Sequence, residues 1–196
     1  VYLQTMAKEK DYKLEIFLSK KEIEVLCKDL ADQINTDYSE YVNKELMQKE
    51  DPKIVALCIL KGGLFFVADI LRQIKIPFVI DFVKLSSYGK DTRSSGTVTI
   101  LQDISTDIKG KHIIIFDEIV DSGRTLSFYI ERLRAAEPKS IRVCTLIDKK
   151  ACRSPESNVS ANYVGIDAGE EFLVGYGLDF GERYRNLPDI YQLVEK

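Results

Sequence analysis

Asp117, Glu118 and Asp121 fall within one short run, IIIFDEIVDSGRTL at 113–126, at the point where an apolar strand gives way to a polar turn. The residues that follow, Ser122, Gly123, Arg124 and Thr125, are placed to open a helix. The unpaired backbone N–H groups and positive end of a helix form a ready cradle for phosphate. Gly123 lets a phosphate approach the backbone closely, and the Ser122 and Thr125 hydroxyls add donors. Three carboxylates beside such a cradle repel an anion unless they have other partners. Adjacent sugar hydroxyls can donate to Asp117 and Glu118, so the arrangement points to a ligand with a phosphate at one end and a ribose diol close by. The pattern is neither the GxxxxGK[ST] loop nor the GxGxxG loop. A plain helix start, with acidic residues favoured by the dipole, is the simpler alternative.

Further segments occur in order along the chain. LKGG at 60–63 follows an apolar run and can turn backbone N–H groups toward a second anion, although an ordinary strand-to-helix turn has the same composition. SSYG at 86–89 lies in the polar stretch FVKLSSYGKDTRSSG, and Lys149 follows the strand-like IRVCTLI. VGYGLDFGERYRNLPDI spans 174–190.

An acidic pair, two aliphatic residues and D-[ST]-G-x-T after a buried strand resembles the phosphoribosyl-diphosphate signature of the type I phosphoribosyltransferases. DSGRTL, with LKGG, SSYG and the 174–190 segment in order, is similar to the branch that uses hypoxanthine and guanine, and the likeness extends from about Leu14 to Leu193. The resemblance implies that Asp117 and Glu118 hold the ribose hydroxyls, in the reverse of the family's usual Glu-Asp order. It implies that Asp121 sits near the purine ring nitrogen, as general base or as a stabiliser of its protonation state, and that residues 121–125 surround the 5′-phosphate. Lys61, Gly62 and Arg185 would bind pyrophosphate, often with a non-proline cis peptide after the lysine, and Ser87 and Tyr88 would belong to a mobile loop that closes over it. Lys149 would donate to the six-keto oxygen of the base, Phe172 would stack on the purine, and Leu173 would meet the base edge through its backbone. Asp179 would lie near the base and, with Asp117 and Glu118, bind Mg2+.

The implied reaction moves the 5-phosphoribosyl group from 5-phosphoribosyl 1-diphosphate to hypoxanthine or guanine, giving IMP or GMP and pyrophosphate. Homodimers or homotetramers are expected from the same resemblance. Two alternatives stay open: a non-catalytic sensor of phosphoribosyl diphosphate, and a transferase preferring xanthine. Without their companions, Phe172 would read as a core residue and Arg185 as a solvated surface arginine. The segment DAGEEF stands where the family has Ile-Pro before its aromatic residue, and Arg124 where it often has Lys.

These residues need elements to hold them. SKKE at 19–22 is an S-x-x-E capping arrangement, and Ile23, Leu26, Leu30 and Ile34 then recur at helical spacing. IVALCIL reads as a strand buried on both faces, LFFVADILRQI as a returning helix, PFVIDFV and GTVTILQ as strands. HIIIF, a helix from about Arg124 to Ala136, and IRVCTLI complete a second unit. The pattern predicts an α/β fold with a mostly parallel sheet flanked by helices. Ligands in such folds collect at the carboxyl ends of the strands. From Lys149 onward short strands, YVGI and FLVGYG, replace this pattern. They are expected, with part of the N-terminus, to form a small hood lobe (about 150–196) over the sheet edge within one domain spanning 1–196.

Composition sets outer bounds. The 196 residues carry 28 Lys and Arg against 31 Asp and Glu, a net charge of −3, with 45% hydrophobic residues, which excludes a disordered or fibrous chain. Mixed charge argues against a nucleic-acid stripe, and no window approaches the roughly 18 charge-free apolar residues of a membrane helix. The first residues lack the basic head and apolar run of a secretory signal, so a cytoplasmic protein is expected. Cys58 and Cys144 sit in apolar runs and read as buried thiols, no CxxC occurs, and the single histidine, His112, reads as a strand-edge or surface residue. No zinc site is expected.

Overall fold

The computed structural model describes residues 12–41, 52–87 and 98–196. Two sheets are present. The larger has six strands in the order β4-β3-β2-β5-β6-β7. They are β2 (Ile54–Leu60), β3 (Val79–Ser87), β4 (Val98–Gln102), β5 (His112–Val120), β6 (Ser140–Asp148) and β7 (Tyr163–Asp167). Only β4 runs antiparallel to its neighbour. The smaller sheet, in the order β1-β9-β8, pairs β1 (Tyr12–Leu18) and β8 (Leu173–Val174) antiparallel to β9 (Ile190–Glu195).

Strand β2 and the Ile113–Phe116 stretch of β5 are apolar throughout because each faces two cores. Ala56, Cys58, Ile114 and Phe116 pack on one side with Ile23, Leu30 and Ile34 of α1 (Lys20–Asp37) and Phe66 and Ile70 of α2 (Leu64–Leu71). Val55, Leu57, Ile113 and Ile115 pack on the other with Leu126, Tyr129 and Leu133 of α3 (Arg124–Arg134). The side-chain period of two in a strand produces this division. Helix α1 begins as its sequence implies. The Ser19 side chain accepts from the Glu22 amide, and the Glu22 carboxylate accepts from the Ser19 amide at 2.8 Å. A reciprocal cap of this kind stabilises a helix by about 1 kcal/mol.

One segment differs from the expectation. The sequence pattern places YVGI in the hood, but β7 pairs parallel to β6 from Cys144↔Tyr163 to Asp148↔Asp167 and is the edge strand of the main sheet. Tyr163 is buried there, and its hydroxyl donates to Asp37 of α1 at 2.8 Å, so the main core holds this strand. The hood sheet draws instead on β1, β8 and β9. Among the described residues no helix is long and apolar enough to cross a membrane.

Candidate functional site

The carboxyl ends of the parallel strands β2, β5 and β6 open onto one face, and the segments flanking β8 touch it, with Glu171 against Lys149 and Glu182 against Lys61. Strand β5 brings Asp117 and Glu118 to this end, and the chain then turns through Asp121, Ser122 and Gly123 into α3. Gly123 holds φ at 73°, a left-handed conformation that glycine adopts without a Cβ penalty, and serves as the N-cap. The start of α3 faces a concavity of about 180 Å³, lined by Asp117, Asp121, Ser122, Gly123 and Thr125. The DSGRT turn therefore borders a concavity at the end of β5. Arg124 points elsewhere: its Nε donates to Ser154 Oγ at 2.9 Å.

Glu118 is buried, and its Oε2 has no hydrogen-bond partner among the described residues. Burial and the adjoining Glu118 charge raise the Asp117 carboxyl well above its ordinary range. Burial raises Glu118 too, against the lowering effect first of its hydrogen bond with Asp117 and then of the Arg185 charge. Such a pair, one member with an orphaned oxygen, has the chemistry of a partial divalent-cation site. Mg2+ commonly binds through one or two carboxylates and completes its shell with ligand phosphates and water. Among the described residues no three His, Cys, Asp or Glu side chains converge as a metal cage. Asp179, expected as a third ligand, instead has both oxygens engaged, one with Arg185 at 2.7 Å and one with the Glu182 amide at 2.8 Å.

LKGG forms the turn from β2 into α2. Its cis peptide lies between Leu60 and Lys61, one bond earlier than the resemblance implies, where the chain leaves the sheet. Gly62 is wedged between two site elements. A Cβ on it would run into the Glu118 carboxylate, while a Cβ on Gly177 of the hood would run into the Gly62 carbonyl. Lys61 reaches across to Glu182, Nζ to Oε2 at 2.8 Å. Arg185 donates to the Gly177 carbonyl at 2.6 Å and pairs with Asp179, and its Nε is buried without a partner among the described residues.

Lys149 leaves β6 with its amide donating to the Val120 carbonyl at 2.9 Å, which fixes it beside the β5 turn. It is buried, and Nζ donates to the Glu171 carbonyl at 2.6 Å. Phe172 follows, half-exposed and edge-on to Phe180 at 5.6 Å between ring centroids. Leu173 is buried in β8 opposite Gln192. The structure thus gathers Asp117, Glu118, residues 121–125, Lys61, Gly62, Lys149, Phe172, Asp179 and Arg185 around the carboxyl ends and the hood. Ser87 ends β3, and Tyr88 with the rest of its loop lies outside the described residues.

Arg153 was not picked out from the sequence. Its guanidinium donates to the Asp121 carbonyl at 2.6 Å and pairs with the buried Asp148 carboxylate at the end of β6. The Ser154 amide also donates to the Ser122 carbonyl, at 3.0 Å. The only signal in the sequence was a strand-terminal aspartate five residues before an arginine. Gly177 and Glu182 were passed over in the same way, inside a segment already quoted for its likeness. His112 lies at the opposite end of β5, half-buried between the Tyr41 hydroxyl at 2.9 Å and Ser140 Oγ at 2.6 Å.

Comparison with known proteins agrees with this geometry. A model of the phosphoribosyl transferase domain matches residues 14–180. The hypoxanthine phosphoribosyltransferase of Buchnera aphidicola is 38% identical over 183 residues, covering 93% of this chain and 97% of that one. The hypoxanthine-guanine phosphoribosyltransferase of Bacillus subtilis is 39% identical over 176 residues, covering 90% and 91%. A crystal structure of hypoxanthine phosphoribosyltransferase from Staphylococcus aureus matches with a TM-score of 0.81 at 36% identity, covering 92% of this chain and 91% of that one. With a mostly parallel sheet that delivers an acidic pair and the 121–125 turn to one end, and a family model that spans most of its length, the chain belongs to the phosphoribosyl transferase family.

Proposed function

We propose that the protein transfers the 5-phosphoribosyl group of 5-phosphoribosyl 1-diphosphate to hypoxanthine or guanine, releasing pyrophosphate and forming IMP or GMP. The observation that carries this reading is the joining of two half-sites. The diol-and-phosphate turn after β5 and the buried Lys149 after β6 are bonded to each other through Val120 and Lys149.

In this reading the amides of α3 and the Ser122 and Thr125 hydroxyls hold the 5′-phosphate, and Asp117 and Glu118 accept from the ribose hydroxyls. Lys149 donates to the keto oxygen of the base, a contact that an amino purine cannot accept in the same way. Phe172 offers a ring face to the purine. As the bond from the sugar C1′ to the diphosphate oxygen breaks, its electron pair leaves with pyrophosphate. A new bond forms to the purine ring nitrogen, whose proton passes to Asp121. Lys61 and Arg185 receive the charge growing on the leaving group. Asp117 and Glu118 would hold Mg2+, which supplies neutralisation of the diphosphate.

A panel of hypoxanthine, guanine, xanthine and adenine with the donor and magnesium, read by nucleotide and pyrophosphate release, tests the reading. Turnover of the first two is expected, and the Asp121→Asn variant should lose about 10²-fold or more in kcat. Donor binding without turnover of any base would identify a sensor instead, and exclusive use of xanthine would reassign the base.

A further inference from the structure

The two cations assigned to the diphosphate, Lys61 in the turn after β2 and Arg185 in the hood, are already engaged with carboxylates. Lys61 Nζ contacts Glu182 Oε2 at 2.8 Å, and Arg185 contacts Glu182 Oε1 at 3.2 Å and Asp179 Oδ1 at 2.7 Å. Among the described residues Glu182 alone bridges both cations. It holds φ at 65° in the turn after Asp179, and its amide donates to Asp179 Oδ2 at 2.8 Å, so its backbone is fixed relative to Arg185. The two cations draw the Glu182 carboxyl below its ordinary range, through the hydrogen bond to Lys61 first. Two positive and two negative side chains make this cluster neutral, yet Arg185 Nε remains a buried donor without a partner among the described residues.

We propose that Glu182 is a specificity residue of the diphosphate subsite. Its carboxylate stands in for phosphate on Lys61 and Arg185 in the ligand-free protein, so that a diphosphate is accepted well only when a divalent cation has already reduced its charge. This deepens the proposed function and rests on the assignment of Lys61 and Arg185 to pyrophosphate. The physical argument is one of like charges. A phosphate oxygen that reaches Lys61 Nζ must approach within a few ångströms of the Glu182 carboxylate or displace it. A bare diphosphate, with no net positive field to compensate, meets that repulsion in full. A magnesium complex meets much less of it. As a stabilising pair alone, the contact would matter little, because both Lys61 and Glu182 are more than half exposed.

The test is calorimetric titration of pyrophosphate alone into the full chain, in chelator and again at saturating magnesium, at constant ionic strength. Glu182→Gln and Glu182→Ala are compared with the parent. Both variants should bind bare pyrophosphate about three- to tenfold more tightly and magnesium pyrophosphate with less than about twofold change, so the magnesium dependence shrinks. Circular dichroism melts confirm that the exposed substitution leaves the fold intact. Unchanged or weaker binding of bare pyrophosphate in either variant overturns the role of Glu182, as does equal tightening with and without magnesium. A parent that binds neither form overturns the diphosphate subsite itself and the inference with it. A parent that binds while the variants fail the comparison overturns the inference alone.

Discussion

Asp117 and Glu118 set function against stability within two adjacent residues. The folded state raises both carboxyls, so above their folded pKa values each is ionised at a cost that the unfolded chain does not bear. The sign follows directly: the penalty is absent at acid pH, appears as pH rises through the ordinary carboxylate range, and is complete once both groups are ionised. Asp117→Asn should therefore raise the melting temperature of the ligand-free protein near neutral pH by a few degrees, at about 2 to 4 °C per kcal/mol for a chain of this size. The same change should weaken binding of the ribosyl donor, although it removes a negative charge from an anion site, because a charge-assisted diol contact is lost. Thermal melts with and without donor check both halves. A variant that is no more stable, or that binds donor more tightly, contradicts the assignment. Gly62 shows the same tension in steric form, since the space its missing side chain leaves is filled by the Glu118 carboxylate.

At the scale of elements, the segment leaving β6 fastens the turn after β5 from the side. Lys149, Arg153 and Ser154 bond to the carbonyls of Val120, Asp121 and Ser122 in succession. Arg153 is also the counter-ion of Asp148, whose side chain is only 3% exposed. Arg153→Ala should leave a buried carboxylate unpaired and destabilise the protein by about 3 to 5 kcal/mol. The double variant Asp148→Asn with Arg153→Ala should recover part of that loss. A double-mutant cycle by denaturant unfolding measures the coupling, and strictly additive losses would show that the pair is not a unit. The strands that carry this site were legible because residues such as Ile113–Phe116 are apolar on both faces, and the caps because Ser19 and Glu22 are local. The place of β7 at the edge of the main sheet, rather than in the hood, is not legible, because a five-residue strand of mixed burial, isolated by polar loops, carries no mark of its partner. Arg153 and Glu182 were illegible for a related reason. Their roles lie in contacts with Asp121 and Lys61 that only the folded chain makes.

Across the whole molecule the main sheet has one chemical end and one structural end. At the latter, Tyr41, His112 and Ser140 form a hydrogen-bonded chain, with Tyr38 edge-on to the imidazole at 5.4 Å between ring centroids. Burial, and then the Lys139 charge, hold the His112 imidazole below its ordinary pKa. Between the folded pKa and the unfolded value near about 6.5 the unfolded state binds the extra proton, so stability falls as pH drops through that window. His112→Gln should flatten this part of the pH–stability curve and leave the KM for donor unchanged, as unfolding at pH 5 to 7 and steady-state kinetics would show. A shifted KM would mean that the two ends are coupled. The hood has a different kind of asymmetry. Its middle strand, β9, lies between β1 and β8, so the three can pair only after residues near 190 have joined those near 12. During synthesis from the amino terminus, β2 to β7 emerge before β9 exists, and the strand that started first must wait for the one made last. A growing chain therefore forms the 121–125 turn before its cover, and a ribosome-stalled form ending after β7 would, on the proposed reading, present the donor half of the site without the strands that frame the base.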